Sequence, residues 1–213
     1  MTLGWVSPTA APTTTVLLRH GDTQFSPEHR FSGLRDVPLS ASGTRQARAA
    51  ADRLATGPPI DALVSSPLQR AVRTASIAAG ELGLTAVIDD DLRETDFGEW
   101  DGFTLAEIQQ RWPSAAAVWS RDPEQAPPGG ESFAATAHRV NQACDRLLRD
   151  HGGQTVLVVS HVTPIKILLC RALGVPLGTL YRLYLGSACL NEIQWHGCGF
   201  AAVHRVNDTS HLP

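Results

Sequence analysis

The 213-residue sequence lacks the cysteine pairs, the charge excess and the long apolar runs that mark several protein classes. Its four cysteines form no CxxC pair and no metal-like spacing, so we expect reduced thiols in a cytoplasmic protein rather than disulfides or a metal site. No apolar run approaches the ~20 residues that a membrane span requires. The net charge of −3 and the pI of about 6.2 argue against membrane-surface or direct nucleic-acid binding. A local cluster must therefore hold any anionic ligand.

The composition is that of one ordinary globular domain, with 43% hydrophobic and 18% charged residues and no internal repeat. Residues 1–12 have no basic segment followed by a hydrophobic one, so they do not form a secretory signal. Their proline, threonine and alanine content indicates a linker or a disordered segment. We expect the folded domain over 13–207 and a short tail over 208–213.

Short apolar runs alternate with helical patterns along the chain, which is typical of an α/β fold. The expected strands cover 13–18, 60–66, 86–88, 155–160, 188–195 and 200–205. The expected helices cover 45–55 (opened by 39–44), 67–82, 104–111, 114–119, 131–150 and 165–173. Ser65 and Ser66 are expected to cap the second helix, and Thr163 is expected to cap the last one before Pro164. We predict a mostly parallel central sheet with helices on both faces and a helical excursion over 96–130.

Two of the predicted central strands end in a histidine, His20 and His161. Because the carboxyl ends of parallel strands meet at one edge of a sheet, we expect the two imidazoles to lie close together. Arg19 directly precedes the first histidine, and Arg70 lies in the first turn of the helix after another strand. Two imidazoles and two guanidinium groups at one place form a cage for a dianionic phosphoryl group. An isolated Arg-His-Gly sequence would be much weaker evidence.

Five segments in order resemble the histidine phosphatase (phosphoglycerate mutase-like) superfamily, over about residues 13–195. They are LRHGDT (18–23), PLSASG (38–43), SPLQRA (66–71), LRETDFGEWDG (92–102) and SH (160–161). A narrower resemblance is to the acid phosphatase half of actinobacterial proteins that also carry a ribonuclease H domain, a half similar to α-ribazole phosphatases. It is carried by RFSG (30–33), DFG (96–98), PPGGESF (127–133) and VSHVTPIK (159–166). Residues 4–14 would then be an interdomain linker.

The resemblance implies roles for the residues of the cage. His20 would be the nucleophile that carries the phosphoryl group as phosphohistidine. Arg19, Arg70 and His161 would hold the phosphoryl oxygens. Glu94 would protonate the leaving alcohol and then activate the water. No metal and no cofactor is implied, and we expect activity at mildly acidic to neutral pH.

The resemblance also implies a set of phosphate- or substrate-binding positions around the cage. They are Gly21, Thr23, Ser26, Ser32, Gly33, Val162 and Thr163. Ser26 stands where the family usually has asparagine, and Ser32 stands where it often has glutamine. Val162 follows the second histidine, where most members have glycine. These departures leave the phosphate contacts of the loop open.

The sequence leaves more than one function open. The first is a metal-independent phosphomonoester hydrolase, an acid phosphatase, for which the resemblance suggests α-ribazole 5'-phosphate as substrate. A phosphoglycerate mutase-type phosphotransferase is the enzymatic rival, but the excursion over 96–130 has only Arg111 and Arg121 as basic residues, which favours hydrolysis. A catalytically weak binding module attached to a ribonuclease H domain is the third. Monomer and homodimer fit equally well.

Three further features have both a functional and a structural interpretation. Arg73 is either another phosphate ligand or an exposed helical arginine, and the acidic run 89–91 is either a metal site or a solvated turn; for both we favour the second. Trp100, Trp112 and Trp119 either line a substrate lid or pack the helical excursion.

Overall fold

A computed structural model describes residues 11–197 and 199–213, so residues 1–10 of the predicted linker and Cys198 lie outside the described residues. The strands are β1 Thr13–Arg19, β2 Ala62–Ser65, β3 Ala86–Ile88, β4 Thr155–Ser160, β5 Leu190–Trp195 and β6 Ala201–Asp208. The α-helices are α1 Ala41–Ala55, α2 Gln69–Leu82, α3 Leu105–Arg111, α4 Pro113–Trp119, α5 Phe133–Asp150 and α6 Val162–Leu173. None of the helices in these two ranges has the length and apolar character of a membrane span.

The described strands form one sheet in the order β3-β2-β4-β1-β5-β6. The first four strands in this order are parallel, whereas β5 pairs antiparallel with β1, and β6 antiparallel with β5. The predicted mostly parallel α/β fold is therefore confirmed. β1 and β4 lie at the centre, where neighbouring layers cover both faces, and this is why both read as continuous apolar runs.

Successive side chains of β1 enter two different hydrophobic layers. Leu17 packs with residues of α5 and α6 on one face. Val16 and Leu18 pack with alanine-rich faces of α1 and α2 on the other. The period-two alternation of a strand thus places helices on both sides of the sheet, as the alternating pattern predicted.

All six α-helices begin one to four residues away from the predicted start, and three of these differences bear on the site. α1 begins at Ala41, and the Oγ of its N-cap Ser40 accepts a hydrogen bond from the Gly43 amide at 3.0 Å. α2 begins at Gln69 after Leu68, without a side-chain cap, so the predicted serine cap is wrong. α6 begins at Val162 directly after His161, so the predicted threonine cap is also wrong. Proline fits the third position of α6 because amides of the first turn have no intrahelical acceptor.

The misassigned serines have other partners. Ser65 Oγ donates to the carbonyl of Ser66 at 3.0 Å. Ser66 Oγ accepts a hydrogen bond from the Leu68 amide and contacts the ring of His161. The second serine therefore belongs to the site and not to the helix cap.

The predicted helical excursion is present as α3 and α4, flanked by a 3₁₀ turn at Gly98–Trp100. Thr104 and Glu107 form a capping box at the start of α3. The excursion has a hydrophobic core of its own, to which α5 and α6 also contribute. At the other end of the chain, β6 continues to Asp208 rather than ending at Arg205, and Leu212 packs against the α1–α2 layer.

Candidate active site

The two strand-end histidines meet as the sequence predicted. β1 and β4 pair in parallel with Arg19 opposite Ser160, so His20 and His161 leave the sheet side by side. Their ring centroids are 5.0 Å apart, and the two side chains are 6% and 0% exposed. Two buried imidazoles therefore share one sheet edge.

A backbone contact fixes the tautomer of His20. Its Nδ1 lies 2.8 Å from the carbonyl oxygen of Gly21, which can only accept, so Nδ1 carries the proton and Nε2 keeps its lone pair. Burial lowers the pKa of His20 well below its usual 6.5, and the charges of Arg70 and Arg19 lower it further against the opposing bond to Gly21. The lowered pKa and the contact with Gly21 together favour a neutral ring with a free Nε2.

Two glycines allow the loop after β1 to pack directly on the first turn of α1. A Cβ on Gly21 would lie 2.3 Å from the carbonyl oxygen of Gly43, and a Cβ on Gly43 would lie 2.0 Å from that of Asp22. The amide of Gly21 donates to Thr74 Oγ1 at 3.3 Å. Gly21 thus permits a close backbone approach, and its amide is already used within the protein.

Arg70 is fully buried and is held by the loop that crosses it. Its Nη1 donates to the carbonyl of Arg35, and its Nη2 donates to the carbonyls of Ser32 and Gly33 at 3.0 and 2.8 Å. Arg19 Nη1 donates to Leu185 O at 2.6 Å. The Nε of each arginine is buried and has no hydrogen-bond partner in the described part of the chain. Each guanidinium thus keeps an Nε–H donor that the described residues do not use, and Arg19, unlike Arg70, lines the pocket.

His161 completes the cluster. Its Nε2 lies 2.7 Å from Ser66 Oγ, while its Nδ1 is buried without a partner among residues 11–197 and 199–213. Burial lowers the pKa of His161 well below 6.5, and the charge of Arg70 adds to that effect. A neutral ring that accepts from Ser66 would present its Nδ1–H as a further donor.

Glu94 is 5% exposed, and its side chain contacts the first turn of α6. Its Oε1 accepts a hydrogen bond from the Thr95 amide at 2.8 Å, and its Oε2 accepts one from the Thr163 amide at 3.4 Å. The helix N-terminus attracts the carboxylate electrostatically. Glu94 and His20 therefore line the same pocket, whereas His161 is fully buried beside His20 and does not line it.

The remaining predicted positions divide into pocket-lining and supporting residues. Thr23 and Ser26 line the pocket, but their hydroxyls also accept hydrogen bonds from backbone amides of their own turn. Ser32 lines the pocket with a buried Oγ that has no partner in the described residues. Val162 and Thr163 line it from α6. Gly33 lies behind it, where a Cβ would be 2.7 Å from the Thr95 carbonyl oxygen.

The pocket above this cluster has a volume of about 390 Å³ and a wall of aromatic side chains. The wall consists of Phe31, Phe97, Trp119, Phe133 and Tyr181. Trp119 is its centre, because its ring lies within 5.1–6.5 Å of each of the other four. Of the three tryptophans singled out above, only this one lines the pocket; the other two pack beneath or beside it.

Sequence reasoning missed three basic side chains of the pocket, Lys166, Arg30 and His29. Lys166 follows Thr163 by three residues, so helical spacing places both on one face of α6. Burial lowers the pKa of this lysine, although the nearby charge of Glu94 opposes the shift. Arg30 is held by Glu28 and Glu107, and His29 is an exposed rim residue. The helical spacing between Thr163 and Lys166 was the one sequence signal that could have identified any of these three side chains as part of the pocket.

Two alternatives raised by the sequence are now decided by position. Arg73 is exposed on α2 and does not line the pocket. Asp89 and Asp91 bind Arg146, at 2.9 and 2.7 Å, so the acidic run is an ion-paired cluster. In the residues that the structure describes, no three His, Cys, Asp or Glu side chains lie together as metal ligands would.

Comparison with known proteins identifies the family. The profile of the histidine phosphatase superfamily (branch 1) matches residues 15–209. The chain belongs to this superfamily. It is 34% identical over 198 residues to phosphoserine phosphatase 1 of Hydrogenobacter thermophilus, covering 92% of this chain and 93% of that protein.

Two further similarities of this superfamily member bear on its context. It is 48% identical over 209 residues to the bifunctional protein Rv2228c of Mycobacterium tuberculosis, covering 98% of this chain and 57% of that protein. The chain thus spans little more than half the length of that relative. The structure of the α-ribazole phosphatase from Shigella flexneri superposes with a TM-score of 0.82 at 28% identity, over 92% of this chain and 96% of that one.

Proposed function

We propose that the chain is a metal-independent phosphomonoester hydrolase that acts through a phosphohistidine on His20. The observation that carries this proposal is the hydrogen bond from Nδ1 of His20 to the carbonyl of Gly21, which leaves Nε2 free on a neutral ring. A nucleophile with a lone pair, beside two guanidinium groups, suits attack on a phosphoryl group. The remaining steps follow from the groups around it.

In the first step, Nε2 of His20 attacks phosphorus in line with the leaving oxygen. The P–N bond forms while the P–O bond breaks, and the carboxyl group of Glu94 gives its proton to the departing alkoxide. Arg19, Arg70 and His161 stabilise the charge that spreads over the non-bridging oxygens. Their unpartnered donors support this role.

In the second step, Glu94, now a carboxylate, takes a proton from a water molecule. The water oxygen attacks phosphorus, the P–N bond breaks, and its electron pair returns to Nε2 of His20. Inorganic phosphate leaves and the neutral histidine is restored. Burial lowers the pKa of His20 well below its usual 6.5, which favours an unprotonated nucleophile.

The aromatic wall bears on the substrate. A pocket bounded by Phe31, Trp119 and Tyr181 favours a leaving alcohol that carries a flat apolar group. We propose α-ribazole 5'-phosphate, whose leaving nucleoside carries an aromatic base, as the specific candidate. The structural similarity to an α-ribazole phosphatase supports this choice.

Lys166 keeps the mutase alternative in view. The sequence argument against a mutase was the scarcity of basic residues in the excursion, but this lysine reaches the pocket from α6 instead. It is the kind of cation that can hold a second anionic group of a phosphorylated hydroxy acid. Incubation with 3-phosphoglycerate separates the two activities, since a hydrolase releases phosphate whereas a mutase forms the 2-isomer.

The context of the domain is also a proposal. The coverage of the bifunctional relative supports a covalently linked ribonuclease H domain in the full-length protein, and both monomer and homodimer are compatible with it. We propose a cytoplasmic location. The described cysteines, Cys144, Cys170 and Cys189, are buried free thiols, and burial raises the pKa of Cys144 to about 11. A reducing compartment keeps such thiols intact.

Hydrolysis of p-nitrophenyl phosphate in EDTA between pH 4 and 8 tests the proposal. Wild type should turn over without added metal, His20→Ala should be inactive, and Glu94→Gln should be slowed. A silent wild type, or an equally active His20→Ala variant, would contradict the mechanism and favour a binding module.

A further inference from the structure

The peptide that carries Glu94 is held by one buried side chain of α5. Arg139 is 6% exposed, and its Nη1 donates to the carbonyls of Asp91 and Arg93, each at 2.7 Å. Its Nη2 donates to the carbonyl of Glu94 itself at 3.0 Å. Three carbonyls within four consecutive residues therefore share one guanidinium. The backbone position of Glu94 depends on that group.

Glu131, just before α5, fixes the guanidinium from its other side. Its Oε1 accepts from Arg139 Nε at 2.9 Å and its Oε2 accepts from Nη2 at 2.8 Å. Burial raises the pKa of Glu131, but the hydrogen bonds and the charge of Arg139 outweigh that effect and lower it. The Asp96 amide also donates to Oε2, at 3.4 Å. The bidentate pair thus holds the segment 91–96 near both of its ends.

The carboxyl group of Glu94 itself has few contacts that fix its direction. Of its two hydrogen bonds, one comes from the neighbouring amide of Thr95, which moves with it, and the other, from Thr163, is 3.4 Å long. An acid must lie within hydrogen-bond reach of the leaving oxygen, and a displacement of about 1 Å can cost about 100-fold in rate. The direction of the side chain therefore comes mainly from its backbone. Arg139 holds that backbone through three carbonyls, while the hydroxyl contact of Thr95 with Thr136 and the bond from Ser160 to the Leu92 carbonyl hold it at single points.

We propose that Arg139, with Glu131 as its partner, is a positioning residue for the acid–base group Glu94. This inference rests on the proposed function, because it assumes that Glu94 transfers protons. A residue with only a structural role would lower the stability of the fold and affect all substrates alike. A positioning residue for the acid affects substrates according to how much their leaving group needs a proton.

The test compares kcat/KM for p-nitrophenyl phosphate and 2-phenylethyl phosphate, because kcat/KM covers only the steps up to loss of the leaving group. The nitrophenolate leaves without a proton, whereas the alkoxide needs one from Glu94. For Arg139→Met we expect a loss of about 10- to 100-fold on the alkyl ester and less than about 3-fold on the aryl ester. Arg139→Lys, which can still pair with Glu131 but lacks the fork, should give a smaller change in the same ratio.

Arg146→Met is the matched control. Arg146 lies on α5 seven residues after Arg139 and binds the same segment, but through the side chains of Asp89 and Asp91 rather than the backbone of Glu94. We expect the ratio of the two kcat/KM values to stay at the wild-type level. Thermal unfolding of each variant distinguishes loss of the fold from misplacement of the Glu94 carboxyl group. Glu131→Gln provides a milder test if Arg139→Met does not fold.

The kinetic results distinguish failure of the positioning inference from failure of the proposed function. If Glu94→Gln shifts the ratio but the Arg139 and Glu131 variants leave it at the wild-type value, or lower both substrates equally, the positioning inference is overturned. If Glu94→Gln itself leaves the ratio unchanged, or His20→Ala still hydrolyses both esters, the proposed function fails instead.

Discussion

The floor of the pocket and its wall are built in different ways. The floor consists of His20 and Arg19, which line the pocket, and of His161 and Arg70, which are fully buried and do not line it. Each lies at the end of a sheet strand or in the first turn of a following helix. The wall consists of Trp119 and the four aromatic residues around it, which come from the loop before α1, the excursion, α5 and the turn after α6. The contrast shows that sheet topology positions the proposed reacting groups, whereas side-chain packing shapes the space proposed for the leaving group.

The two regions also differ in what stabilises them. The floor buries polar groups whose charged forms are disfavoured, as the lowered pKa values of His20, His161 and Arg70 indicate. The wall extends the small hydrophobic core of the excursion. Substitutions in the floor should therefore affect turnover most, and substitutions in the wall should affect stability and substrate affinity.

Replacing the proposed nucleophile His20, in the floor, should have the largest effect on turnover. We expect His20→Ala to lower kcat for p-nitrophenyl phosphate by roughly a thousandfold or more, because no other group can carry the phosphoryl intermediate. His29→Ala, at the exposed rim of the same pocket, is the control and should change kcat less than about threefold. Steady-state kinetics measure both, and comparable losses would mean that floor and rim do not differ as described.

Replacing the centre of the wall should have the next largest effect. Trp119 is 8% exposed, so Trp119→Ala should lower the free energy of unfolding by about 3–5 kcal/mol and raise KM for aryl phosphates more than it lowers kcat. Trp112→Ala, in the same excursion but outside the pocket, should leave KM unchanged. Urea unfolding and initial rates distinguish the two variants; an equal rise in KM would show that the wall does not contact the leaving group.

A pair of helical glycines tests how the floor is supported. In Gly43→Ala the new Cβ would meet the carbonyl of Asp22 in the loop after His20, so we expect about 1–3 kcal/mol of destabilisation. A Cβ added at Gly80 in α2 would meet no described atom within 4 Å outside the helix's own backbone, and Gly80→Ala should stabilise by about 0.5–1 kcal/mol. Denaturant unfolding gives both values, and equal effects would remove the evidence for tight packing under the floor.

The smallest expected effect is on the pH dependence of the free energy of unfolding, and it concerns the floor alone. His20 and His161 have folded-state pKa values below 6.5, so stability is fully present above pH 6.5 and falls as acid protonates the unfolded chain. Each histidine contributes up to about 1.4 kcal/mol per pH unit between 6.5 and its folded value. His161→Asn should reduce the slope of unfolding free energy against pH in phosphate-free buffer; an unchanged slope would contradict a neutral buried pair.

The sequence predicted the floor well and the wall poorly, for physical reasons. A strand that ends in histidine is a local pattern, and parallel pairing of β1 and β4 then brings His20 and His161 together. The wall has no such local rule, because Trp119 meets Phe31 and Tyr181 only through tertiary packing. The helix starts at Gln69 and Val162 were misjudged because Ser66 contacts His161 rather than capping a helix, and because Thr163 lies inside α6, where its amide donates to Glu94.

The contact of Arg139 with the backbone around Glu94 could not be predicted from the sequence for the same reason. Arg139 and Glu94 are 45 residues apart, and nothing in the periodicity of α5 distinguishes a buried arginine that binds three carbonyls from an exposed one. Only the geometry of the folded chain identifies it.

Trapping the phosphoenzyme tests the central claim most directly. Wild type and Glu94→Gln are mixed with p-nitrophenyl phosphate, quenched at alkaline pH within milliseconds, digested and mapped by mass spectrometry. The account predicts one phosphoryl group on His20, more abundant in Glu94→Gln because that variant lacks the base for the second step, and absent from His20→Ala. Rapid turnover without a phosphorylated peptide, or with the phosphoryl group on another residue, would contradict it.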